Sequence, residues 1–160
     1  MLNEGGCLCG NVRYETIGPP TNVTICHCRF CQRATGSIGM VQPVFLREKH
    51  RIIKGETAKF NLKSGGSSKV ITVNFCSSCG TKVHLEFERF PNAVGVYAGT
   101  FDDPNWFEQT PANTKYIFLE SAPKGTVVRA GYNAFDGHAR LNDDTPLVPT
   151  VHNVHFAVRD

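Results

Sequence analysis

An all-β fold is predicted for this chain of 160 residues. Three observations favour it. β-Branched and aromatic residues come in short runs that alternate with polar residues, as in half-buried strands. Fifteen glycines and nine prolines are available to break these runs. Few segments have the periodicity of an amphipathic helix. A chain of this length can bury a core without disulfides, so we expect one domain over residues 1–160.

The elements are predicted in chain order from the alternating runs and the breaks between them. Strands are predicted over residues 11–16, 38–46, 70–75, 83–88, 93–99, 116–120 and 126–128. Short helical turns are predicted over residues 28–34 and 104–109. Residues 64–68 are rich in glycine and serine and predict a hairpin connection, because the Gly-Lys-Ser/Thr sequence of a phosphate loop does not follow them.

The run that ends at Phe75 leads directly into Cys76-Ser77-Ser78-Cys79-Gly80, and a second alternating run starts at Val83. This order predicts two antiparallel strands joined by a cysteine turn. Gly80 would supply the positive φ that such a tight turn often needs.

Composition and charge exclude several classes of protein. The net charge is +3 and charged residues make up 19% of the chain, which excludes a disordered chain, a coiled coil and a polybasic tail, so no nucleic-acid partner is expected. The longest apolar runs fall far short of the ~20 residues of a membrane span, so no membrane association is expected either. The first residues lack the pattern of a signal peptide, and we therefore expect a cytoplasmic protein.

Seven cysteines carry the strongest functional signal. They fall into three groups, which are Cys7 and Cys9, then Cys26, Cys28 and Cys31, then Cys76 and Cys79. Separations of one and two residues are typical of metal ligands, and the odd number of cysteines disfavours a disulfide framework. Thiolates favour zinc over magnesium or calcium, with iron–sulfur ligation as an alternative.

Seven ligands suit two zinc ions, because a structural site takes four protein ligands whereas a catalytic site takes three and leaves one position open. The pair Cys76 and Cys79 needs a second pair from elsewhere in the chain. Cys7 and Cys9 are one candidate pair, but spacing alone also allows two cysteines from residues 26–31 to complete that site.

Four motifs occur in one order along residues 5–119. They are Gly5-Gly6-Cys7-x-Cys9-Gly10-x-Val12-x-Tyr14, Cys26-His27-Cys28-x-x-Cys31-x-x-x-x-Gly36, Phe75-Cys76-x-x-Cys79-Gly80 and Gly99-Thr100-Phe101-Asp102-Asp103-Pro104. In these motifs the chain resembles the glutathione-dependent formaldehyde-activating enzyme family, which also contains centromere protein V.

The resemblance implies a β-tent fold, in which several small antiparallel sheets with little helix are clasped by zinc. Residues 1–120 would form the family-like core, and residues 121–160 a C-terminal extension of the same domain. It also implies two zinc ions per chain. Cys7, Cys9, Cys76 and Cys79 match the structural zinc site, and Cys26, Cys28 and Cys31 match the open, catalytic one.

The function implied by the resemblance is that of a zinc-dependent carbon–sulfur lyase, similar to S-(hydroxymethyl)glutathione synthase. Its partners would be a small thiol such as glutathione and an aldehyde, since zinc promotes deprotonation of a coordinating thiol. The alternative is a non-catalytic zinc-folded binding module, in which His27 or a residue of the C-terminal extension closes the three-cysteine site.

Several polar residues near the motifs are candidates for contacts with a substrate. Arg29, Arg33 and Lys82 could face the carboxylates of glutathione, although a solvated charge is the simpler interpretation of each. His27 could orient a ligand or move a proton, or it could point away from the metal. Asp102 and Asp103 could orient a substrate, although Asp before Pro commonly starts a turn. His152 and His155 would face opposite sides of a strand, which argues against a shared metal.

Overall fold

The computed structural model describes residues 1–159 and consists mainly of β-strands. The strands are β1 Leu2–Gly6, β2 Arg13–Ile17, β3 Asn22–Cys26, β4 Met40–Leu46, β5 His50–Lys54, β6 Ala58–Lys63, β7 Val70–Phe75, β8 Lys82–Phe87, β9 Ala93–Val96, β10 Thr114–Ile117, β11 Val127–Val128, β12 Asn133–Ala134, β13 Thr150–Val151 and β14 Phe156–Ala157. In the described part of the chain, α1, Arg29–Thr35, is the one α-helix. Three short 3₁₀ helices span Arg47–Lys49, Ala98–Thr100 and Leu119–Ser121. The predicted all-β class is confirmed.

The predicted cysteine turn is also confirmed. β7 and β8 pair antiparallel, with Val73 opposite Leu85, and the turn between them contains Cys76 and Cys79. Gly80 has a φ of +73°, the left-handed conformation expected for this position. The hairpin connection after β6 is closed by a hydrogen bond from the Ser64 N–H to the Lys69 carbonyl.

Other elements differ from the prediction. Residues 104–109 form no helix, because the Asp103 carboxylate accepts the Asn105 N–H at 2.8 Å and holds the chain in a turn. Seven strands were not predicted: β1, β3, β5, β6, β12, β13 and β14. β1 contains two glycines, and β5 and β6 are largely exposed. None of these three strands shows a clear alternation of buried and polar residues.

The chain divides into two compact units. The first unit comprises Met1–Asn22 and Gln42–Glu108. It contains an antiparallel sheet in the order β1-β2-β5 and an antiparallel run in the order β4-β9-β8-β7-β6. The prediction of a single domain stays a prediction.

The core of the first unit joins aliphatic and aromatic side chains with two cysteines. Its buried residues are Cys7, Val12, Tyr14, Phe45, Cys76, Val83, Val94, Val96 and Phe101. The predicted core position of Tyr14 is confirmed, and its hydroxyl hydrogen-bonds to that of Thr100 at 2.9 Å. Phe75 and Phe87, also predicted as core, are half-buried. Because Cys7 and Cys76 belong to this core, their thiols are fixed by its packing.

The second unit comprises Val23–Val41 and the chain from Gln109 onward. Its strands pair in the order β13-β12-β10-β3, and β11 pairs with β14. The pairing is mixed, whereas the resemblance implied antiparallel sheets, because β10 is parallel to both β3 and β12. This arrangement places the end of β3, at Cys26, beside Ile117 of β10.

The C-terminal extension supplies much of the core of the second unit. Val128, Tyr132 and Ala134 of the extension are buried together with Tyr116 and Leu119. Strand β12 of the extension pairs with β10, so these residues fold as part of the second unit and form no separate body. None of the helices within residues 1–159 has the length and apolar character needed to span a membrane.

Candidate metal centres

The first candidate centre is the four-cysteine cluster of Cys7, Cys9, Cys76 and Cys79. All four sulfur atoms lie within 4.8 Å of one another. The Cys7 and Cys9 sulfurs are 3.5 Å apart, and the Cys9 and Cys76 sulfurs are 3.7 Å apart. The structure thus brings together the first and last cysteine groups of the sequence.

Two turns of similar construction present these thiols. After β1, the Cys7 N–H donates to the Val12 carbonyl and the Gly10 N–H to the Cys7 carbonyl. After β7, the Cys76 N–H donates to the Thr81 carbonyl and the Gly80 N–H to the Cys76 carbonyl. The glycine that closes each turn has a φ of +73°. Each cysteine pair is therefore arranged by local backbone geometry before the two turns meet.

Hydrogen bonds connect the two turns and stabilise thiolates. The Leu8 N–H donates to the Thr81 hydroxyl at 3.2 Å, which joins one turn to the other. The same hydroxyl lies 3.2 Å from the Cys79 sulfur. This side-chain contact, together with backbone N–H groups, lowers the pKa of Cys79 to about 5.

The second candidate centre is the three-cysteine cluster of Cys26, Cys28 and Cys31, whose sulfurs all lie within 4.8 Å of one another. Cys26 ends β3, Cys28 is the N-cap of α1 and Cys31 lies in the first turn of that helix. The Cys28 sulfur accepts the Cys31 N–H at 3.4 Å. Cys26 and Cys31 are buried, while Cys28 is half-buried.

The thiols of the three-cysteine cluster shift one another's pKa in opposite directions. Contacts with Cys26 and Cys31, and N–H groups at the start of α1, lower the pKa of Cys28. The interaction with Cys28 raises the pKa of Cys26, and interactions with Cys26 and Cys28 raise that of Cys31. Three thiolates this close together repel one another, so full ionisation of the cluster requires a cation.

Both clusters offer donors that suit zinc, and the four-cysteine cluster also has sulfur–sulfur separations that suit it. A zinc–sulfur bond of about 2.3 Å gives sulfur–sulfur separations of about 3.8 Å in a tetrahedron. The separations of 3.5 and 3.7 Å in the four-cysteine cluster are close to this value. Thiolate donors suit zinc and exclude the oxygen-seeking ions magnesium and calcium.

The two clusters differ in the number of ligands that the protein offers. Within residues 1–159, no fourth His, Cys, Asp or Glu atom joins the three-cysteine cluster. The four-cysteine cluster offers a complete tetrahedral set, and the three-cysteine cluster offers three of the four ligands.

His27, one candidate for that fourth ligand, lies outside the three-cysteine cluster. Its Nδ1 is hydrogen-bonded to the Ile38 carbonyl at 2.9 Å, and its ring is parallel to that of Tyr116, with 6.4 Å between ring centroids. Gly39 makes room for the imidazole, since a Cβ at this position would lie 2.7 Å from Nδ1. No ring nitrogen of His27 lies with the three sulfurs, which argues against His27 as the ligand that closes the cluster. The interpretation in which His27 points away from the metal stays a prediction.

The other candidate polar residues have different surroundings. Arg29 is exposed and its guanidinium donates to the Gln32 side chain, while Arg33 is exposed in the last turn of α1. Lys82 is half-buried on β8 of the first unit. Asp102 forms an ion pair with Arg13, so it has a structural role. The His155 ring accepts the Ala130 N–H at 3.1 Å.

Sequence reasoning missed two polar residues that adjoin the clusters. Thr81 connects both turns of the four-cysteine cluster. Gln32 is buried beside Cys31 and bonds to the carbonyl of His27 at 2.6 Å. A polar residue one or two positions after a cysteine is too common a pattern to predict either contact.

Comparison with known proteins adds three findings. A family model described as glutathione-dependent formaldehyde-activating enzyme matches residues 2–121. A protein of Halomonas elongata whose description bears the same family name is 25% identical over 155 residues, which cover 88% of this chain and 97% of that protein. A crystal structure of a Rhodobacter sphaeroides protein is 20% identical, with a TM-score of 0.49, and covers 62% of this chain and 87% of that one.

Proposed function

Because the chain belongs to the glutathione-dependent formaldehyde-activating enzyme family, we propose that it is a zinc-dependent carbon–sulfur lyase that acts on a small thiol and an aldehyde. The reaction is of the S-(hydroxymethyl)glutathione synthase type. Two zinc ions per chain are part of the proposal. One is structural, in the four-cysteine cluster, and one is catalytic, in the three-cysteine cluster.

One observation carries this proposal. Within the described residues, the three-cysteine cluster gathers three thiols and no fourth His, Cys, Asp or Glu ligand atom. A zinc ion bound there would have one position free and would supply a place where a substrate thiol binds as its thiolate. A binding module folded by zinc has no need of such an open position, which is why we favour the enzyme.

The reaction itself is balanced and needs no redox partner. The thiol sulfur bonds to the carbonyl carbon of the aldehyde, the carbonyl π bond breaks, and the proton lost by the thiol ends on the carbonyl oxygen. The product is an S-hydroxymethyl thioether, and the reverse reaction cleaves the same carbon–sulfur bond. Holding the two reactants side by side removes the entropic cost of their encounter.

The protein's own residues contribute position and charge. Cys28 caps α1 and is the least buried member of the three-cysteine cluster, so this side of the cluster is the accessible one. Arg29, the next residue in the chain, is exposed, and its guanidinium would bind a carboxylate of glutathione. We assign Arg29 this role ahead of Arg33, which is at the far end of the helix.

The cellular setting that we propose is the cytoplasm. All seven cysteines are free thiols in the structure, and thiols persist in a reducing compartment. Glutathione is abundant there as a thiol substrate. The proposed partners are accordingly small molecules.

The test begins with zinc per chain in protein purified under reducing, metal-sparing conditions, before and after dialysis against a weak chelator. We expect two zinc ions that fall to one. Cys28→Ser should contain one zinc from the start, whereas Cys79→Ser should lose the tightly bound ion and much of its stability. Calorimetry with glutathione, followed by formaldehyde consumption, should then show binding and turnover in the wild type and neither in Cys28→Ser.

The outcomes separate the two functions. Two zinc ions that both resist the chelator, with no heat on adding any thiol, would favour a binding module. A single zinc in the wild type would mean that the three-cysteine cluster holds free thiols, and the proposal would fail.

A further inference from the structure

Gln32 is a buried polar residue that directly follows the last thiol of the three-cysteine cluster. Its side chain lies on α1, and the residue is only 7% exposed. Burying an amide costs free energy unless its hydrogen-bonding groups find partners. The contacts of this amide therefore indicate what its burial achieves.

The nitrogen and the oxygen of the Gln32 amide both have hydrogen-bond partners. Its Nε2 donates to two backbone carbonyls, that of His27 at 2.6 Å and that of Ser121 at 2.8 Å. Its Oε1 accepts a hydrogen bond from the Arg29 guanidinium. Both N–H groups of the amide and one oxygen lone pair thus have partners, which fixes the orientation of the side chain.

These bonds join the two stretches of chain that carry the three thiols. The His27 carbonyl belongs to the residue between Cys26 and Cys28, and Gln32 itself follows Cys31 on the helix. The same stretch is held on its other side, where the His27 N–H donates to the Ile117 carbonyl of β10 at 3.1 Å. Ser121 closes the short 3₁₀ helix that follows β10.

The helix needs such support. α1 has seven residues, too few for an isolated helix to be stable in water. Its position relative to the end of β3 must therefore come from side-chain contacts, and Gln32 provides two hydrogen bonds outside the helix.

We propose that Gln32 is a positioning residue of the three-cysteine cluster. Its amide holds the helix of Cys31 against the His27 carbonyl and so sets the spacing at which one metal ion reaches all three sulfurs. This inference rests on the proposed function, since it assumes that the cluster binds zinc. It predicts that metal affinity depends on a residue that offers no ligand atom to the metal.

The test compares zinc affinities of wild type and Gln32→Met. Methionine has a similar length and volume but cannot donate to either carbonyl. Competition with a chromophoric chelator should show that the weaker zinc site binds about 10- to 100-fold less tightly in Gln32→Met, the usual effect of losing a partner that orients metal ligands. The tighter site should be unchanged.

A matched control is available at Gln42, a second buried glutamine, 8% exposed, on β4 of the first unit. Its Nε2 has no hydrogen-bond partner among the described residues. Gln42→Met makes the same chemical change at an amide that has no such hydrogen bonds to lose, and it should leave both zinc affinities at their wild-type values.

A second variant keeps the inference testable if Gln32→Met does not fold. Arg29→Met removes the bond to Oε1 together with one exposed positive charge, and it should weaken the same site by less than Gln32→Met does. Arg33→Met removes an equal charge from the same helix but no bond to Gln32, and it should not weaken the zinc site. If Gln32→Met is unfolded, the affinity of the weaker zinc site is compared between Arg29→Met and Arg33→Met. Equal affinities in these two variants would then overturn the inference.

The results distinguish this inference from the proposed function. A wild-type protein that binds only one zinc would overturn the proposed function, and this inference with it. If the wild type has two zinc sites and Gln32→Met binds zinc at both with the wild-type affinities, only the inference would be overturned. Equal weakening of both sites would also overturn it, because it would show a general loss of folding.

Discussion

Gly39 lies in close contact with the backbone and the imidazole of two residues at the start of the three-cysteine motif, Cys26 and His27. A Cβ at Gly39 would lie 2.7 Å from the His27 Nδ1 and 3.0 Å from the Cys26 carbonyl oxygen. The imidazole cannot move aside without losing its hydrogen bond to the Ile38 carbonyl. The absence of a side chain at Gly39 is therefore required by the packing around His27.

Gly39→Ala should destabilise the protein by about 1–3 kcal/mol, the usual cost of overpacking. Urea unfolding in zinc-saturated buffer measures the change in free energy. Gly137→Ala is the matched control in the same unit, because a Cβ there meets no atom within 4 Å. Equal stability of Gly39→Ala and Gly137→Ala would show that His27 is not held tightly.

At the scale of elements, an ion-pair group joins the β1–β2 hairpin to the loop that follows β9. The Arg13 guanidinium binds both oxygens of Asp102, with one contact at 2.8 Å, and also reaches Glu4 at 3.2 Å. The backbone follows the same path, since the Asp102 N–H donates to the Glu4 carbonyl at 3.1 Å. Asp102 therefore fixes where the loop lies against the first strand.

Asp102→Asn should lower the free energy of unfolding by about 0.5–1 kcal/mol, because the pair is partly exposed and solvent screens it. The guanidinium lowers the pKa of Asp102, so this stabilisation is present above pH ~4 and is lost as pH falls through the folded-state pKa. Chemical unfolding at low and high salt measures the difference in unfolding free energy between wild type and Asp102→Asn, and high salt should reduce this difference.

Asp103→Asn is the control for this element. The Asp103 carboxylate oxygen accepts a local N–H, that of Asn105, which an asparagine oxygen can also accept. We expect near wild-type stability. A loss as large as that of Asp102→Asn would mean that the turn stabilises the loop more than the ion pair does.

At the scale of the whole molecule, two packed histidines link stability to pH. The His50 and His84 ring centroids are 4.5 Å apart, and His50 also stacks on Tyr14. Burial lowers the pKa of His50 to about 4. Burial and the charge of His50 lower the pKa of His84 to about 3. Both residues are therefore neutral in the folded protein at neutral pH.

Stability should fall as the pH drops from ~6.5 towards 4, because only the unfolded chain gains protons on these histidines in that range. Each contributes a slope of at most about 1.4 kcal/mol per pH unit. Glu86, Arg47 and Lys59 lie close enough to affect these protons, with Glu86 favouring and the two cations opposing charged His84.

His84→Gln should reduce the slope of unfolding free energy against pH in this range, as measured by urea denaturation at several pH values. Zinc loss in acid affects both proteins, so the difference between them reports the histidine. His155→Gln changes an exposed histidine and is the matched comparison, so the slope of His84→Gln should be the smaller of the two. An unchanged slope in His84→Gln would refute the account.

The sequence by itself determined what depends on neighbours along the chain. The cysteine groups, the turn closed by Gly80 and the β7–β8 hairpin are all local, so spacing and residue type were sufficient to predict them. Helix α1 was predicted within one residue of its observed bounds, since Cys28 and Gly36 cap it locally.

Only the tertiary structure decided which cysteine groups lie together. Spacing allowed the pair at Cys76 and Cys79 to meet either of the other groups, because loop-closure entropy changes little with loop length. Core packing around Cys7 and Cys76 brings together residues 67 positions apart, as the contact of Cys9 with Cys76 shows. The direction of His27 and the contacts of Gln32 depend likewise on β10 and Ser121, which lie about ninety residues away along the chain.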